Sequence, residues 1–97
     1  MVGVTPRFTT SALRIESRPN PIRGSAGILF SLPRDTDVTL SICDVAGREV
    51  TRLVNGKRYD AGSHEVRFDG RGLPNGLYVC LLRAGGLTAT GHLALIR

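Results

Sequence analysis

The chain is 97 residues long, 41% hydrophobic and 22% charged, and it carries 13 lysine and arginine residues against 8 aspartate and glutamate residues. This length suffices for one domain with a single modest core and excludes two separate cores. No apolar run approaches the roughly 18 residues of a membrane-spanning helix, and a 5% aromatic content without tryptophan disfavours a base-stacking platform.

The first segment, residues 1–17, is predicted to be an extended arm that precedes the folded domain. It mixes apolar residues with arginines, as does a segment that becomes ordered when it binds a partner. Glu16 is the single acid in the first 24 residues, so this end of the chain is cationic. The expected anchors are Val2, Val4, Phe8, Leu13 and Ile15 together with Arg7, Arg14, Arg18 and Arg23.

Residues 18–97 are predicted to form a β-sandwich domain. Clusters of Pro, Gly, Asn and Asp recur along the chain, and the short segments between them mostly alternate in polarity. This spacing is typical of an all-β sandwich or barrel, whereas no segment repeats apolar residues at helical spacing. Seven strands are expected, the first reaching back into the arm: 12–18, 27–32, 37–44, 48–54, 64–68, 77–83 and 87–96.

Alternation within these strands predicts which side chains face the core. The expected core residues are Leu40, Ile42, Val66, Phe68, Tyr78 and Leu82. On the opposite face of the sixth strand lie Leu77, Val79 and Leu81. Three outward apolar residues on one strand form a patch, and we expect it to be covered by the arm or to bind a partner.

The glycine-rich segment DGRGLPNG, residues 69–76, raises the question of a phosphate-binding loop. Such a loop leads into a helix, whose N-terminal amides bind the phosphate, whereas this segment leads into a strand. We therefore interpret it as a corner of the sandwich. Gly70 and Gly72 are expected at positive φ, Leu73 is expected to close the end of the core, and residues 74–76 are expected to form a turn.

Groups suited to catalysis or metal binding are few. His64 and His92 have no Cys or carboxylate neighbours at ligand spacing, and an exposed strand start is expected for His64. Asp35 and Asp37 could ligate calcium, but carboxylates in a β-turn more often cap backbone amides. We therefore predict no catalytic residue, no bound metal and no cofactor, and we expect the protein not to be an enzyme.

The alternation predicts that the two cysteines, Cys43 and Cys80, point to opposite faces of their strands. Cys43 shares its face with Thr39 and Ser41, and Cys80 shares its face with Tyr78 and Leu82. A disulfide requires Cβ atoms that face each other at about 4 Å. Two free thiols are therefore expected, as in a reducing compartment.

Several motifs at the turns and core positions resemble those of known domains. The residues from about 19 to 97 resemble the C-terminal sorting domains of type IX secretion cargo and, equally, the immunoglobulin-like domain of flagellar hook-capping proteins. The resemblance implies a seven-stranded, fibronectin-III-like sandwich without catalytic residues, which in secreted cargo serves as a terminal address. The matching pieces are Asn20-Pro21, Ser31-Leu32-Pro33, Asp44-Val45-Ala46-Gly47-Arg48-Glu49-Val50, Ala61-Gly62-Ser63-His64, Gly72-Leu73-Pro74-Asn75-Gly76-Leu77-Tyr78 and Leu93-Ala94-Leu95-Ile96-Arg97.

Three functional hypotheses follow, and the first is preferred. It is an accessory subunit that docks on a larger protein complex, for instance a membrane-embedded respiratory or photosynthetic one, with an anionic lipid surface as a further candidate partner. The second is a sorting or hook-capping domain of a larger secreted protein. The third is a small enzyme or a nucleic-acid binder, which the scattered cations disfavour.

The beginning of the chain bears on where the protein acts. The segment MVGVTPRFTTSALRIES lacks a charged region followed by an apolar stretch, as a signal peptide would have. With Met1 as the native start, we expect a cytoplasmic protein at the periphery of a membrane complex. For a fragment of a longer protein, we expect an extracellular or cell-surface location.

Overall fold

The computed structural model describes residues 13–18, 21 and 23–96, and within these residues it contains seven strands and no helix. Every strand overlaps the segment predicted for it. The strands are β1 (Arg14–Arg18), β2 (Ser25–Leu32), β3 (Thr36–Asp44), β4 (Glu49–Tyr59), β5 (Gly62–Asp69), β6 (Gly76–Ala84) and β7 (Leu87–Leu95).

The largest boundary difference concerns β4, which continues to Tyr59 rather than ending at residue 54. The Asn-Gly pair at residues 55–56 predicts a turn, yet the strand passes through it. Thr39 pairs with Asn55 and Val38 pairs with Lys57, so Gly56 is the extra residue of a β-bulge. Its φ of 67° is one that glycine adopts without a Cβ clash.

The strands form two antiparallel sheets, one of three strands in the order β1-β2-β5 and one of four in the order β4-β3-β6-β7. β2 pairs with β5 and β3 pairs with β6, so hydrogen-bonded neighbours are distant in the chain. Two packed antiparallel sheets with these connections form an immunoglobulin-like sandwich. The predicted all-β fold class is confirmed.

The core lies between the two sheets and consists of their inward side chains. Ile28 and Phe30 of β2 and Leu40 and Ile42 of β3 are at most 1% exposed. Five of the six predicted core residues are buried, and the sixth, Val66, is half-buried against the core. Val66 is less buried because β5 is an edge strand with β2 as its only neighbour.

The sandwich begins before the predicted boundary between residues 17 and 18. All five residues of β1 pair with β2, Leu13 is 7% exposed within the core, and Ile15 packs against that core. Residues 13–17 therefore belong to the sandwich and not to an arm, because strand pairing and apolar burial hold them there. The remainder of the predicted arm, residues 1–12, lies outside the described residues.

The glycine-rich corner between β5 and β6 is architectural, as predicted, but for a different reason. Neither Gly70 nor Gly72 has a positive φ, so that expectation was wrong. The Gly70 amide instead donates to Gly24 O at 2.6 Å, and a Cβ at residue 70 would lie 3.3 Å from that oxygen. Gly70 thus allows a close approach of two chain segments, while Leu73 packs half-buried against the core.

A tyrosine secures the same corner. Tyr78 is 5% exposed at the start of β6, and its hydroxyl donates to Pro74 O at 2.6 Å. A tyrosine that bonds the backbone a few residues upstream at this corner is a hallmark of immunoglobulin-like sandwiches. The bond gives the hydroxyl of the buried Tyr78 side chain a partner.

An aromatic cluster joins the two sheets at the opposite end of the sandwich. Phe30 and His64 are paired across β2 and β5, and the Tyr59 ring of β4 meets both of them edge-on, with centroids 5.3 Å and 4.9 Å away. His64 Nε2 donates to Asp60 O at 2.6 Å. His64 is half-buried rather than exposed, and its role in the described structure is to hold this cluster.

The Tyr78 hydroxyl offers a test of the corner. We expect Tyr78→Phe to lower the free energy of unfolding by about 1 kcal/mol, because the Pro74 carbonyl loses its partner while the ring packing remains. Urea denaturation measures this difference. The matched control is Tyr59→Phe, since the Tyr59 hydroxyl bonds no described residue, and equal losses in both variants would contradict the assignment.

The Asp69–Arg71 pair at this corner predicts a pH dependence. Hydrogen bonds from the Arg71 side chain and then from its amide lower the pKa of Asp69 from 3.8 to about 2. The stability that this carboxylate contributes is complete above pH 3.8 and is lost as the pH falls through about 2. We expect the urea midpoint to fall over that interval, and to fall less steeply in Asp69→Asn; an unchanged slope would contradict this.

Candidate binding surface

The outward side chains of β6 form an apolar row on the four-stranded sheet. Leu77 is 51% exposed, and Val79 and Leu81 are half-buried. We call these three residues the outer row. The same row ends in the exposed side chain of Arg83, while the alternating residues between them face the core.

Small and polar side chains flank the outer row because β6 lies between β3 and β7. Val79 pairs with Cys43 of β3, and Leu81 pairs with Ser41 of β3 and with Thr90 of β7. Leu81 extends farther from the sheet than Ser41 and Thr90, whereas Val79 is paired on β7 with the larger, exposed side chain of His92. The outer row is therefore a ridge on its β3 side.

A groove of about 190 Å³ lies between this ridge and β4. It exists because the outward residues of β3 are small, whereas those of β4 and β6 are large. Its floor is formed by Thr39, Ser41 and Cys43, and its walls include Glu49, Arg52, Leu81 and Arg83.

The charges of the groove are unequally engaged. Glu49 accepts bonds from Arg52 at 2.8 and 3.1 Å and from the Ser41 hydroxyl at 3.0 Å, and these bonds, those of Arg52 first, lower the pKa of Glu49. Arg52 also donates to Asn55 Oδ1. The Arg83 side chain, in contrast, makes no hydrogen bond or ion pair with any described residue and acts on Glu49 only through space. Its guanidinium therefore retains its donors for a partner.

The hairpin between β3 and β4 is held by Asp44. Asp44 Oδ1 accepts from the Arg48 and Ala46 amides at 2.9 and 3.0 Å, and Oδ2 accepts from Arg48 Nε at 3.0 Å. These bonds, the Arg48 amide first, lower the pKa of Asp44. The capped turn leaves Val45 at its tip with 74% of its surface exposed.

Exposed apolar residues concentrate at this end of the sheet. Tyr78 pairs with Asp44, and Gly76 pairs with Leu95, so Val45, Leu77 and Ile96 share one end. Among the described residues, these are three of the four large apolar side chains that are exposed. Clustering of this kind is typical of a contact surface.

The outward face of the three-stranded sheet is different. Its β1 and β5 positions include Arg14, Glu16, Arg18, Glu65 and Arg67. Arg18 Nε lies 2.6 Å from Glu16 Oε2, and Arg67 lies 3.7 Å from Glu65. Leu29, half-buried on β2, is the one large apolar outward side chain of this face within the described strands. Paired, exposed charges indicate a solvated surface.

The structure separates the predicted partner-binding residues into distinct groups. Leu77, Val79 and Leu81 point outward together, as predicted. Arg14 and Arg18 lie exposed on the three-stranded sheet and Arg23 in the loop before β2, so the cations do not adjoin the outer row.

Leu13 was expected to anchor a partner, but it packs in the core, because the strand that follows it is part of the sandwich. Four further predicted anchors, Val2, Val4, Arg7 and Phe8, lie outside the described residues. Val45 and Ile96 were missed. Val45 lies in a turn, where alternation assigns no face, and Ile96 was the last residue of the predicted seventh strand but follows the observed end of β7. Exposure of Val45 could have been predicted from one feature of the sequence, namely that an apolar residue stands inside a turn motif.

The cysteines are both free, as predicted. Cys43 is half-buried on the groove floor, whereas Cys80 faces the core, where burial first and then the nearby Cys43 raise its pKa to about 11. Because the side chains lie on opposite faces of one sheet, they cannot bond in any compartment. Their freedom therefore does not indicate a reducing environment.

The two carboxylates considered for calcium binding make contacts within the chain. Asp35 accepts from the Ala61 amide at 2.8 Å, and Asp37 lies 3.8 Å from Arg58. The described part of the chain contains no group of three His, Cys, Asp or Glu side chains suited to a metal ion. Within that same part, no helix is long and apolar enough to span a bilayer.

One protein-family model, described as the secretion system C-terminal sorting domain, matches residues 18–95. The match runs from the last residue of β1 to the last residue of β7 and so covers most of the chain. No curated protein and no solved structure matches the chain. The predicted resemblance to secretion sorting domains is confirmed, whereas the resemblance to hook-capping proteins stays a prediction.

The two cysteines should differ in reactivity. At a pH of about 8, N-ethylmaleimide should label Cys43 in the folded protein but not Cys80, because burial disfavours the Cys80 thiolate. After unfolding in urea, both should react. Intact-mass measurement with peptide mapping distinguishes the two sites. Labelling of Cys80 before Cys43 in the folded protein would contradict the burial of Cys80 in the core.

Proposed function

The chain belongs to the family of secretion system C-terminal sorting domains, and we propose on that basis that it is the sorting domain of a secreted or cell-surface protein. In this role it is the address by which a type IX secretion machine recognises its cargo. It acts by binding and performs no catalysis. The cargo itself is a separate domain.

The observation that carries this proposal is the coincidence of the family match with the folded unit. The match at residues 18–95 ends where β7 ends, and β7 is the strand that completes the four-stranded sheet. The unit that resembles sorting domains is thus nearly the whole sandwich rather than a short peptide. This supports an address that is read as a folded surface.

The folded state suits that role physically. The outer row requires β6 to be paired on both sides, since only a strand within a sheet directs alternate residues to one face. An unfolded chain of the same sequence does not present these side chains together. Recognition of the folded surface would therefore distinguish complete cargo from unfolded cargo.

The accessory-subunit hypothesis, preferred on the sequence alone, has less support. It rests on the arm and on Met1 as a native start, and residues 1–12 lie outside the described residues. The family match favours the sorting hypothesis and with it a secreted or cell-surface location rather than a cytoplasmic one. Both hypotheses share a protein partner that binds an immunoglobulin-like surface.

A reporter fusion tests the proposal. A signal peptide, a reporter enzyme and residues 1–97 are joined in that order and expressed in a bacterium that has a type IX secretion system. We expect the reporter at the cell surface or in the medium. Without the 97 residues, or in a strain whose machine is inactivated, we expect it to remain in the periplasm.

A core variant tests whether folding is required. Ile42 is fully buried, and Ile42→Asp introduces a charge without a partner there, so we expect the domain to unfold and export to be lost. The surface variant Arg34→Gln is the control. Equal export with and without the 97 residues would refute the proposed function.

A further inference from the structure

We propose that the outer row together with Arg83 is the docking surface by which this domain binds a protein of the secretion machine. The partner is expected to offer an apolar strip that carries a carboxylate at one end. This inference rests on the proposed function and adds to it the recognition surface and the chemistry of the partner.

The distribution of apolar surface selects this face over the other. Leu77, Val79 and Leu81 stand in a line on the four-stranded sheet, and exposed Val45 and Ile96 extend that line at the hairpin end. The other face is occupied mainly by arginine and glutamate side chains. Burial of an apolar face stabilises a complex, whereas burial of paired surface charges contributes little.

The charges beside the outer row select an acidic partner. The two carboxylates near it are already engaged, Asp44 by Arg48 and Glu49 by Arg52 and Ser41. The side chain of Arg83 is exposed and makes no hydrogen bond or ion pair with any described residue. A carboxylate placed opposite its guanidinium would accept two parallel hydrogen bonds, which fix the register of the contact.

The geometry favours an elongated partner element. From Leu77 to Arg83 the outward residues follow every second position of one strand, a distance of about 20 Å at 3.3 Å per residue. A strand or extended segment matches such a line. The adjoining groove of about 190 Å³ has room for a side chain from that segment.

A second copy of the chain and a lipid surface fit less well. In a symmetric dimer through this face, antiparallel rows would place each Arg83 against Leu77 and leave its charge unpaired. In a lipid bilayer, the exposed hydroxyl of Thr90 beside the row would lose its water without gaining a partner. A protein partner satisfies both the apolar and the polar groups.

The test uses the reporter fusion with matched variants. Leu77→Ser and Leu81→Ser reduce the apolar row, and Arg83→Glu reverses the charge at its end. The controls are Leu29→Ser, an outward half-buried leucine of the other face, and Arg34→Glu, an exposed arginine of the β2–β3 turn. The urea midpoint of each purified variant is measured, so that export is compared only among folded domains.

We expect export to fall about ten-fold or more in each outer-row and Arg83 variant, as when a central contact is removed from an interface, and to stay unchanged in both controls. Arg83→Lys should export less than the wild type and more than Arg83→Glu, because lysine keeps the charge but not the paired bonds. Leu77→Ser is the decisive variant if Leu81→Ser unfolds, because Leu77 is 51% exposed.

The outcomes separate this inference from the function on which it rests. If the wild-type fusion is not exported, the proposed function fails. If the wild type is exported and the outer-row variants match the controls, the function stands and the docking surface is overturned. Binding of the purified domain to phosphatidylglycerol vesicles, or its dimerisation in sedimentation, would also overturn the proposal if abolished by Leu77→Ser but not by Leu29→Ser.

Discussion

The pairing of β3 with β6 in the middle of the four-stranded sheet is the interaction on which the rest of the structure depends. It extends without a shift from Val38 opposite Ala84 to Asp44 opposite Tyr78. Because alternate residues of paired strands face opposite sides, this register places Leu40, Ile42 and Leu82 in the core. The same register places Leu81 beside Ser41 on the outside, so one set of hydrogen bonds determines both the core and the candidate binding surface.

The two ends of the sandwich are held by different chemistry. At one end, Tyr78 bonds Pro74 O and Gly70 bonds Gly24 O, so polar contacts close the corner. At the other end, the rings of Phe30, Tyr59 and His64 join the sheets through edge-on packing. A surface that is preorganised by such contacts loses less entropy on binding.

The arginines of this basic chain differ in how far nearby carboxylates engage them. Six ion pairs among the described residues engage arginine with nearby carboxylates, all of them on the surface. Such pairs add little stability, and they leave the net charge of the chain at +5. Arg83 is left as a cation with free donors beside an apolar row, an arrangement suited to a protein partner. The family match and this surface point to the same kind of function, recognition by binding.

The sequence by itself determined the seven strands, the two faces of β6 and the free thiols, because alternation of polarity and turn residues are local patterns that can be read along the chain. It placed Leu77, Val79 and Leu81 outward for the same reason. The family followed from motifs at the turns and core positions. Only the tertiary structure decided that Leu13 is buried, that β4 continues through Gly56, and that Gly70 is needed for contact with Gly24. It also decided that the Arg83 side chain has no partner among the described residues, and it brought Val45 and Ile96 to the end of the outer row. These features depend on residues that are distant in the chain and meet only when the two sheets pack, so no local pattern encodes them.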